Sequence, residues 1–467
     1  MINSVVTMIA DGKRTLTLKD RYAVERGDDD DSSSSSSSDG NGGIEEASIR
    51  EANQMLLESG KLISGSERVK IARFESGIRG VAATKRARKG DLLCSVSLDE
   101  CFTLDAAKEC LPVQEGGACS GLGDIELLAL HLLVERSKGP ESRHYEHIMS
   151  MPKTFDAVIF WKNRDLAQLK GSPLLSRAIA LRRQAAEDFT KMVSKIIEKE
   201  DGMHFVASIP LTMPAYYWAV TAVQSRYMDF AHPQGGRIRR IRIGCPFLDM
   251  FNHDRCVDVN HALSVEDRTV SVFACRELER GDEVCINYGI NAPSEKLLFF
   301  YGFVDCKGVS FEVTVPSVNA HLVDQDDAAR EKILERVGGP AASPRFELTQ
   351  ADPLPTALLQ AIRIRELEPY DLDDIKNETE DGNAIMSALL DGKSPNKRIE
   401  LCAHEVLSMF FKRLLDQYPT TLESDESELA NVRSGKTLMP RRHRVALMQR
   451  IEEKKILQSA AKKLIVA

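Results

Sequence analysis

Three short segments in the second half of this chain constrain its fold more than any other feature. They read FLDMFNHD at residues 247–254, INYG at residues 286–289 and YGF at residues 301–303. An Asn-His dipeptide on its own is common in loops and indicates nothing. Here it ends an apolar run and is followed by a strand pattern, a Gly-Asp turn and a second strand that ends in Tyr288. This order predicts a small β-sheet domain that carries a functional core.

The bulk composition limits the class of protein. A chain of 467 residues exceeds one ordinary domain, and its hydrophobic fraction of 43% is ample for a buried core. No apolar run approaches the roughly 18 residues that a membrane-spanning helix needs. The net charge of −8 argues against general nucleic-acid binding, because such proteins are normally basic. We therefore expect two or three domains that bind neither a membrane nor nucleic acid, and the oligomeric state stays open.

The cysteines limit the chemistry and the compartment. Ten of them are scattered singly, and no Cys-x-x-Cys pair occurs anywhere. This distribution fits neither a zinc ribbon nor a dense disulfide framework. It predicts reduced, buried thiols in an intracellular protein without a metal site. No secretory segment follows Met1, so we expect the cytoplasm or the nucleus, and the sequence leaves a plastid open.

The β-rich part of the chain is split in two. A run of Asp, then Ser, then Gly before residue 44 cannot bury apolar area, so residues 1–48 are predicted to be disordered. Two similar turns, RKGD at residues 88–91 and ERGD at residues 279–282, precede strand patterns. The Gly of each turn supplies the positive φ that a tight hairpin needs. Residues 49–105 and 240–310 are therefore interpreted as two parts of one domain.

Helical patterns fill the remaining chain. Residues 106–239 form an insertion that contains a Ser172-Pro173 helix cap and a helix opened by Pro214. After a strand pattern at residues 311–315, apolar residues recur at helical spacing, at residues 328–337, 357–364, 399–415 and 445–457. The predicted fold class is α+β, with a small β-sheet core, a helical insertion and an all-α C-terminal domain at residues 311–467.

The core motifs and three further regions resemble the SET-domain protein methyltransferases of the Rubisco large-subunit methyltransferase-like subfamily, which includes the actin-histidine methyltransferase branch. The further regions are LALHLLVERSKGPESRHYEHIMSMPKTFDAVIFW at residues 128–161, WAVTAVQSRYM at 218–228, and YPTTLESDESEL with RVALMQRIEEKKIL at 418–429 and 444–457. The resemblance covers about residues 49–465. It implies a SET-type core, a helical substrate-binding domain and methyl transfer from S-adenosylmethionine.

The resemblance assigns two tyrosines to the reaction. Tyr288 corresponds to a tyrosine whose hydroxyl lies beside the transferred methyl group and the incoming nitrogen. Tyr301 corresponds to a second residue that lines the channel for cofactor and acceptor, and a Tyr there leans toward the lysine-methylating members. A free lysine has a pKa of about 10.4, so it is charged at neutral pH. A narrow apolar channel that desolvates the ammonium lowers this pKa and favours the neutral, nucleophilic amine.

The resemblance also assigns residues to S-adenosylmethionine. Asn252 and His253 are expected to hold its adenine and methionine ends largely through backbone groups, with Asp249 and Phe251 beside them. Arg226 corresponds to an arginine that meets the cofactor carboxylate or the substrate, a contact that suits a guanidinium. His253 is not expected to act as a general base.

The N-terminal cofactor loop departs from the family pattern. It consists of Gly77, Ile78, Arg79 and Gly80, whereas the family usually shows Glu-Gly-x-Gly. Gly77 therefore stands where a Glu is common, and Ile78 replaces the first Gly. Because the family contacts here are largely main-chain, we assign all four residues to the cofactor. A shifted loop register and a reduced cofactor affinity are both open.

The predicted function is S-adenosylmethionine-dependent methylation of lysine, with histidine as the second choice, in a non-histone protein docked on the C-terminal helical domain. The alternative is a catalytically silent SET scaffold that binds a partner through the same helices. The irregular loop supports the scaffold, and the intact set of Asn252, His253, Tyr288 and Tyr301 opposes it. The basic run RIRRIR at residues 237–242 is interpreted as a solvated loop or edge strand, or as a surface that steers an acidic substrate.

Overall fold

The computed structural model describes residues 62–65, 67–74, 78–234, 237–289, 292–314, 325–339 and 345–466. The predicted disordered segment and Gly77 lie outside these residues. The described chain forms two compact units, described separately below. The first comprises the residues up to Ile159 together with Leu181–Ala292, and the second comprises Phe160–Ala180 and the residues from Pro293 onward. The two units are defined by contacts between residues and not by sequence motifs. The domain boundaries predicted from the sequence therefore stay a prediction.

The first unit contains the β-rich core. One four-stranded sheet has the order β1-β4-β9-β8, and another has the order β2-β3-β10-β7. The strands are β1 Leu62–Ser64, β2 Val69–Arg73, β3 Arg79–Ala83, β4 Leu92–Ser97, β5 Met228–Gln234, β6 Arg237–Ile243, β7 Asn252–His253, β8 His261–Ser264, β9 Thr269–Phe273 and β10 Glu283–Ile286. Alternate residues of these short strands point into one apolar core that includes Val81, Val96 and Val272.

The two RGD-like turns have the geometry that their sequences predict. Gly90 has a φ of 91° and Gly281 a φ of 97°, a region that L-residues with side chains rarely adopt. In each turn the final carboxylate accepts a hydrogen bond from the backbone N–H three residues earlier, at 3.0 Å for Asp91 and 3.1 Å for Asp282. The predicted positive φ of both glycines is confirmed.

Helices of the insertion pack beside this core. They are Leu104–Cys110, Asp124–Ser137, Tyr145–Ser150, Gly202–Ser208 and Met213–Arg226, and the longer helix Leu174–Ile197 spans residues of both units. The helix Met213–Arg226 begins where Thr212 accepts a hydrogen bond from the backbone of Ala215, with Pro214 in its first turn. This is the start that the sequence predicts for a helix opened by Pro214.

The basic run at residues 237–242 forms strand β6, which pairs with β5 in a hairpin. Arg237, Arg239 and Arg240 are exposed, and Ile238 between them is 79% exposed. Further along, Arg242 forms a bidentate pair with Asp229, with N···O distances of 2.7 and 2.9 Å. The interpretation as a solvated edge strand is confirmed.

The second unit is mostly helical. Its longer helices are Gln325–Val337, Thr356–Arg365, Pro369–Lys376, Glu380–Leu390, Lys397–Leu415, Leu422–Arg433 and Arg441–Val466. All four predicted helical segments lie within these bounds. The unit also contains a two-stranded antiparallel sheet of β11 Ser310–Thr314 and β12 Arg345–Thr349. The strand predicted at residues 311–315 is confirmed as β11, whereas β12 was not predicted, so the expectation of an all-α domain at residues 311–467 is wrong. Among the described residues, no helix is long and apolar enough to span a bilayer.

Candidate cofactor and catalytic site

The FLDMFNHD and INYG segments lie side by side in the first unit. Strand β7 runs parallel to β10, so that Asn252 is opposite Cys285 and His253 is opposite Ile286. The preceding turn bends at Phe247, which is 1% exposed and has a φ of 66°. A bulky residue seldom adopts this conformation, and such strain concentrates at functional sites. The strand ends therefore bring together the residues that the sequence nominates.

Tyr288 is held at both ends. Its backbone N–H donates to Nδ1 of His253 at 3.2 Å, and its hydroxyl donates to the carbonyl oxygen of Phe251 at 2.7 Å. The two rings stack with centroids 5.2 Å apart and an interplanar angle of 30°. The contact with Nδ1 of His253 therefore fixes the backbone of Tyr288 next to the imidazole ring.

Asn252 connects the predicted cofactor loop, at Arg79, to strand β10, at Glu283. Its amide nitrogen donates to the carbonyl oxygen of Arg79 at 3.0 Å and to the Glu283 carboxylate at 2.7 Å. A Cβ added at Gly80 would lie 2.5 Å from that amide nitrogen and 2.7 Å from the carboxylate oxygen. A side chain at position 80 would therefore displace the ends of Asn252 and Glu283 and disturb their hydrogen bond. The side chain of Asn252 is used within the protein, which agrees with cofactor contacts through backbone groups.

Arg226 and Asp249 form a buried ion pair at the site. Nη1 of Arg226 donates to Oδ2 of Asp249 at 3.0 Å and to its backbone carbonyl at 3.1 Å. The His147 ring nitrogen Nε2 lies 3.5 Å from the same oxygen, and the side chains of His147 and Asp249 are both fully buried. Burial by itself raises the pKa of Asp249, but His147 and then Arg226 outweigh it and lower that pKa below its ordinary value. Asp249 is therefore a carboxylate at neutral pH.

Arg79 adds a second guanidinium next to this pair. Its Nη2 donates to the carbonyl oxygen of Ser150 at 3.0 Å. Burial, and next the positive charge of Arg226, lower the pKa of Arg79, while Asp249 raises it. Only Arg226 is paired with Asp249, and the Arg79 guanidinium feels the charges of both groups. The excess positive charge suits the carboxylate of an amino-acid ligand such as the methionine part of S-adenosylmethionine.

Several buried polar atoms in this cluster have no hydrogen-bond partner among the described residues. They are Nδ1 of His147, Nε of Arg226, Oδ1 of Asp249 and the hydroxyl of Tyr227. A buried polar atom without a partner costs about 1–3 kcal/mol. Their concentration beside one ion pair indicates a place that is built to receive a polar group, and the donor set fits the amino-acid part of the cofactor.

The structure brings together most of the predicted site residues but not all of them. Arg79, Gly80, Arg226, Asp249, Phe251, Asn252, His253 and Tyr288 are linked by the contacts above. Ile78 is 46% exposed, and its carbonyl closes the β2–β3 hairpin by accepting from the Phe74 backbone at 3.1 Å. Tyr301 lies in the second unit, at the end of the π-helical turn Leu297–Tyr301, with its ring edge-on to Phe303.

Sequence reasoning missed His147, Tyr227 and Glu283. Tyr227 follows Arg226 directly, and its pKa is raised well above the ordinary value, first by burial. His147 belongs to the short helix Tyr145–Ser150, inside the region that carries the family resemblance. A single His has no spacing that reveals a role, so only its position 3.5 Å from Asp249 identifies it.

Comparisons with known proteins agree with this arrangement. Residues 78–289 match the SET domain, and residues 324–457 match the Rubisco LSMT substrate-binding domain. The chain is 26% identical to the chloroplastic [fructose-bisphosphate aldolase]-lysine N-methyltransferase of Arabidopsis thaliana, over 73% of this chain and 68% of the relative. It is 23% identical to the actin-histidine N-methyltransferase of Drosophila melanogaster, over 66% of this chain and 59% of that protein.

The fold is that of known structures. The SET domain of LSMT bound to lysine and AdoHcy matches with a TM-score of 0.69 and 22% identity, over 90% of this chain and 91% of that one. Rubisco LSMT bound to AdoMet matches with a TM-score of 0.66 and 21% identity, over 90% and 92% of the two chains. Both domains of the predicted family are therefore present in the expected order. The chain belongs to the SET-domain protein methyltransferases that carry a Rubisco LSMT substrate-binding domain.

Proposed function

We propose that this protein transfers the methyl group of S-adenosylmethionine to the side-chain nitrogen of a lysine in a protein substrate. The observation that carries the proposal is the fixed hydroxyl of Tyr288, held against the Phe251 carbonyl beside the Asn252-His253 strand. The Arabidopsis relative named as a lysine N-methyltransferase, and a yeast relative named as a ribosomal lysine N-methyltransferase, support lysine as the acceptor. The Drosophila relative named for actin-histidine supports histidine as the second choice.

S-adenosylmethionine supplies the reactive methyl carbon when it is bound. The work left to the protein is to seat the cofactor and to align a neutral amine with it. Arg226 and Arg79 would hold the carboxylate, with Asp249 keeping the Arg226 guanidinium in place and the Ser150 carbonyl that of Arg79. Asn252 and His253 would contact the cofactor mainly through their backbones, while Phe251, Ile78 and Gly80 would shape its surroundings.

Tyr288 would orient the acceptor nitrogen. Its O–H hydrogen is used by the Phe251 carbonyl, so the oxygen presents lone pairs as acceptors for the incoming amine. At pH 7.4 only about one lysine in a thousand is neutral in water, and desolvation raises that fraction. Once the amine is neutral, alignment accounts for most of the rate. Tyr301 would line the acceptor channel.

Calorimetric titration with S-adenosylmethionine tests the cofactor site and separates the enzyme from the silent scaffold. The enzyme should give heat of binding, and a scaffold that has lost its cofactor site should give none. Incubation with radiolabelled S-adenosylmethionine and a cell lysate should then label an acceptor protein. Acid hydrolysis of the labelled band distinguishes methyl-lysine from methyl-histidine, and label on neither residue would overturn the proposal.

The second unit would bind the protein substrate. Leu401 and Met409, both 59% exposed, are large apolar side chains on the outer side of the helix Lys397–Leu415. The double variant Leu401→Glu and Met409→Glu should raise the KM for the intact protein substrate and leave that for a short peptide unchanged. If the double variant changes the KM for the intact protein and the KM for the peptide by the same factor, docking on this helix is contradicted. A truncation is less informative, because Asp165 and His443, 3.1 Å apart, join distant segments of this unit.

The compartment is a further proposal. The Arabidopsis and Nicotiana tabacum relatives are named as chloroplastic. This favours the plastid over the cytoplasm or nucleus that the sequence analysis placed first. Expression of the full chain fused to a fluorescent protein checks it, since diffuse signal outside plastids would restore the first prediction.

A further inference from the structure

A cluster of metal-ligating side chains lies apart from the residues assigned to the cofactor. Cys110 ends the helix Leu104–Cys110, while His131 and Glu135 lie one turn apart on the helix Asp124–Ser137. One ligand atom of each residue lies within 4.8 Å of the others. His131 is 3% exposed and Glu135 is 5% exposed, whereas Cys110 is exposed. Two of the three side chains are thus buried, and the third is open to solvent.

The chemistry of the three groups suits a soft or borderline cation. A thiolate sulfur, an imidazole nitrogen and a carboxylate oxygen are all zinc ligands, and three protein ligands leave a fourth position for water. Nε2 of His131 lies 3.9 Å from the Glu135 carboxylate, a spacing slightly longer than that between two ligands of one zinc ion.

We propose that Cys110, His131 and Glu135 form a binding site for a zinc-class divalent cation. The site is independent of the proposed methyl transfer, and nothing in that reaction uses these residues. Binding releases the Cys110 proton, so the affinity rises with pH.

Two groups already contact the Glu135 carboxylate. The Lys138 ammonium contacts its Oε1, and the Ser142 hydroxyl donates to its Oε2 at 2.6 Å. Coordination would replace the Lys138 contact while the Ser142 bond can remain. The structure therefore predicts opposite effects for removal of a ligand and removal of the competing ammonium. A loss of cation affinity on removal of a ligand, together with a gain on removal of the Lys138 ammonium, is specific to a site that uses Glu135.

Cobalt(II) titration of the full chain under reducing conditions tests the site. We expect a sulfur-to-cobalt charge-transfer band with one equivalent bound, and displacement of the cobalt by zinc. Cys110→Ser should remove the band and weaken zinc binding at least tenfold. Cys256→Ser is the matched control, since Cys256 is the other exposed cysteine in the described chain. An unchanged band in Cys110→Ser, or an equal loss in both variants, would show adventitious binding only and overturn the proposal.

Lys138→Met gives the second measurement and does not depend on a buried substitution. It should tighten zinc binding severalfold, because Glu135 is released, whereas Glu135→Gln should weaken it. Circular dichroism of each variant confirms the fold. Zinc affinity that is unchanged or reduced in Lys138→Met would exclude Glu135 as a ligand and overturn the site as described.

Discussion

Two buried ionic clusters in this molecule, one in each unit, differ in how completely their atoms are paired. In the first unit, the pair of Arg226 and Asp249 is surrounded by polar atoms that lack hydrogen-bond partners among the described residues, including Nδ1 of His147 and the hydroxyl of Tyr227. In the second unit, Asp425 and Lys454 are almost fully satisfied. The Lys454 ammonium donates to Oδ2 of Asp425 at 2.7 Å, to the carbonyl of Thr420 at 2.7 Å and to that of Thr421 at 3.3 Å.

The same contrast holds for the remaining atoms of the second cluster. Oδ1 of Asp425 accepts from the Thr420 hydroxyl at 2.6 Å and from Arg450 at 3.3 Å. Nearby, Glu453 accepts from Tyr418 and Ser172, both at 2.8 Å. Only Nε of Arg450 has no partner among the described atoms of this cluster.

The difference separates a structural network from a ligand site. A buried charge pair stabilises a fold only when its remaining lone pairs and protons are also satisfied. The second cluster meets this condition except at Nε of Arg450, and it joins the C-terminal helix Arg441–Val466 to the helix Leu422–Arg433. The first does not, and its unpaired atoms support the proposed contact with the cofactor.

The largest expected effect comes from breaking the satisfied cluster. Asp425→Ala leaves the Lys454 ammonium buried without its counter-ion, which should cost about 3–5 kcal/mol of unfolding free energy. Trp161 is buried in the second unit and reports its unfolding in urea when Trp218 is replaced by Phe. The control is Glu426→Ala, which removes an exposed pair with Lys455 worth about 0–1 kcal/mol. Equal losses in the two variants would refute the structural role of Asp425.

The next effect concerns the chemistry. Tyr288→Phe should reduce the single-turnover rate of methyl transfer by about 10²–10³-fold, the loss typical of one preorganised polar group. Cofactor affinity and stability should stay close to those of the wild type. Tyr217→Phe, on the helix Met213–Arg226, is the matched control with no expected loss of rate. A near-normal rate in Tyr288→Phe would remove Tyr288 from catalysis.

Much of this arrangement could be predicted from the sequence, because it depends on local rules. The positive φ of Gly90 and Gly281 follows from turn chemistry, and the start of the helix at Pro214 follows from its fixed φ. The pairing of Asn252 with the strand before Tyr288 could be expected from the order of the motifs. The turn glycines and the helix start are each encoded within a few adjacent residues, whereas the strand pairing joins two separate motifs.

The missed features depend on contacts between residues far apart in the chain. His147 and Asp249 are separated by about a hundred residues, and neither has a neighbour pattern that reveals the other. Strand β12, with the sequence RFELT, is too short for its alternation to stand out, and β11 pairs with it across a long connection. Such contacts appear only when the tertiary structure is known.

The unpaired cluster is tested by Arg226→Ala. If Arg226 binds the cofactor carboxylate, its loss should weaken S-adenosylmethionine binding by about 1.5–3 kcal/mol, measured by calorimetry. Arg226→Lys keeps the charge but not the planar fork, so it should recover only part of the affinity. Arg183→Ala, an exposed arginine that pairs with Glu187, is the control. Unchanged cofactor affinity combined with weaker acceptor binding would assign Arg226 to the substrate.

The smallest expected effect is the dependence of stability on pH, and the two clusters should differ in its sign. Burial raises the pKa of Glu453 above its ordinary 4.5, more than its hydrogen bonds lower it. The folded state therefore keeps a proton that the unfolded state releases, and the stability of the second unit falls as the pH rises above 4.5. The pKa of Asp249 is instead below its ordinary 3.8, so its contribution to stability is complete above pH 3.8 and is lost as the pH falls through the folded value.

Urea unfolding at a series of pH values checks both signs. In Glu453→Gln, unfolding followed by Trp161 should no longer show the loss of stability above pH 4.5. In Asp249→Asn, unfolding followed by Trp218 should no longer show the loss of stability at acid pH. Profiles parallel to the wild type in both variants would show that neither acid titrates as its surroundings predict.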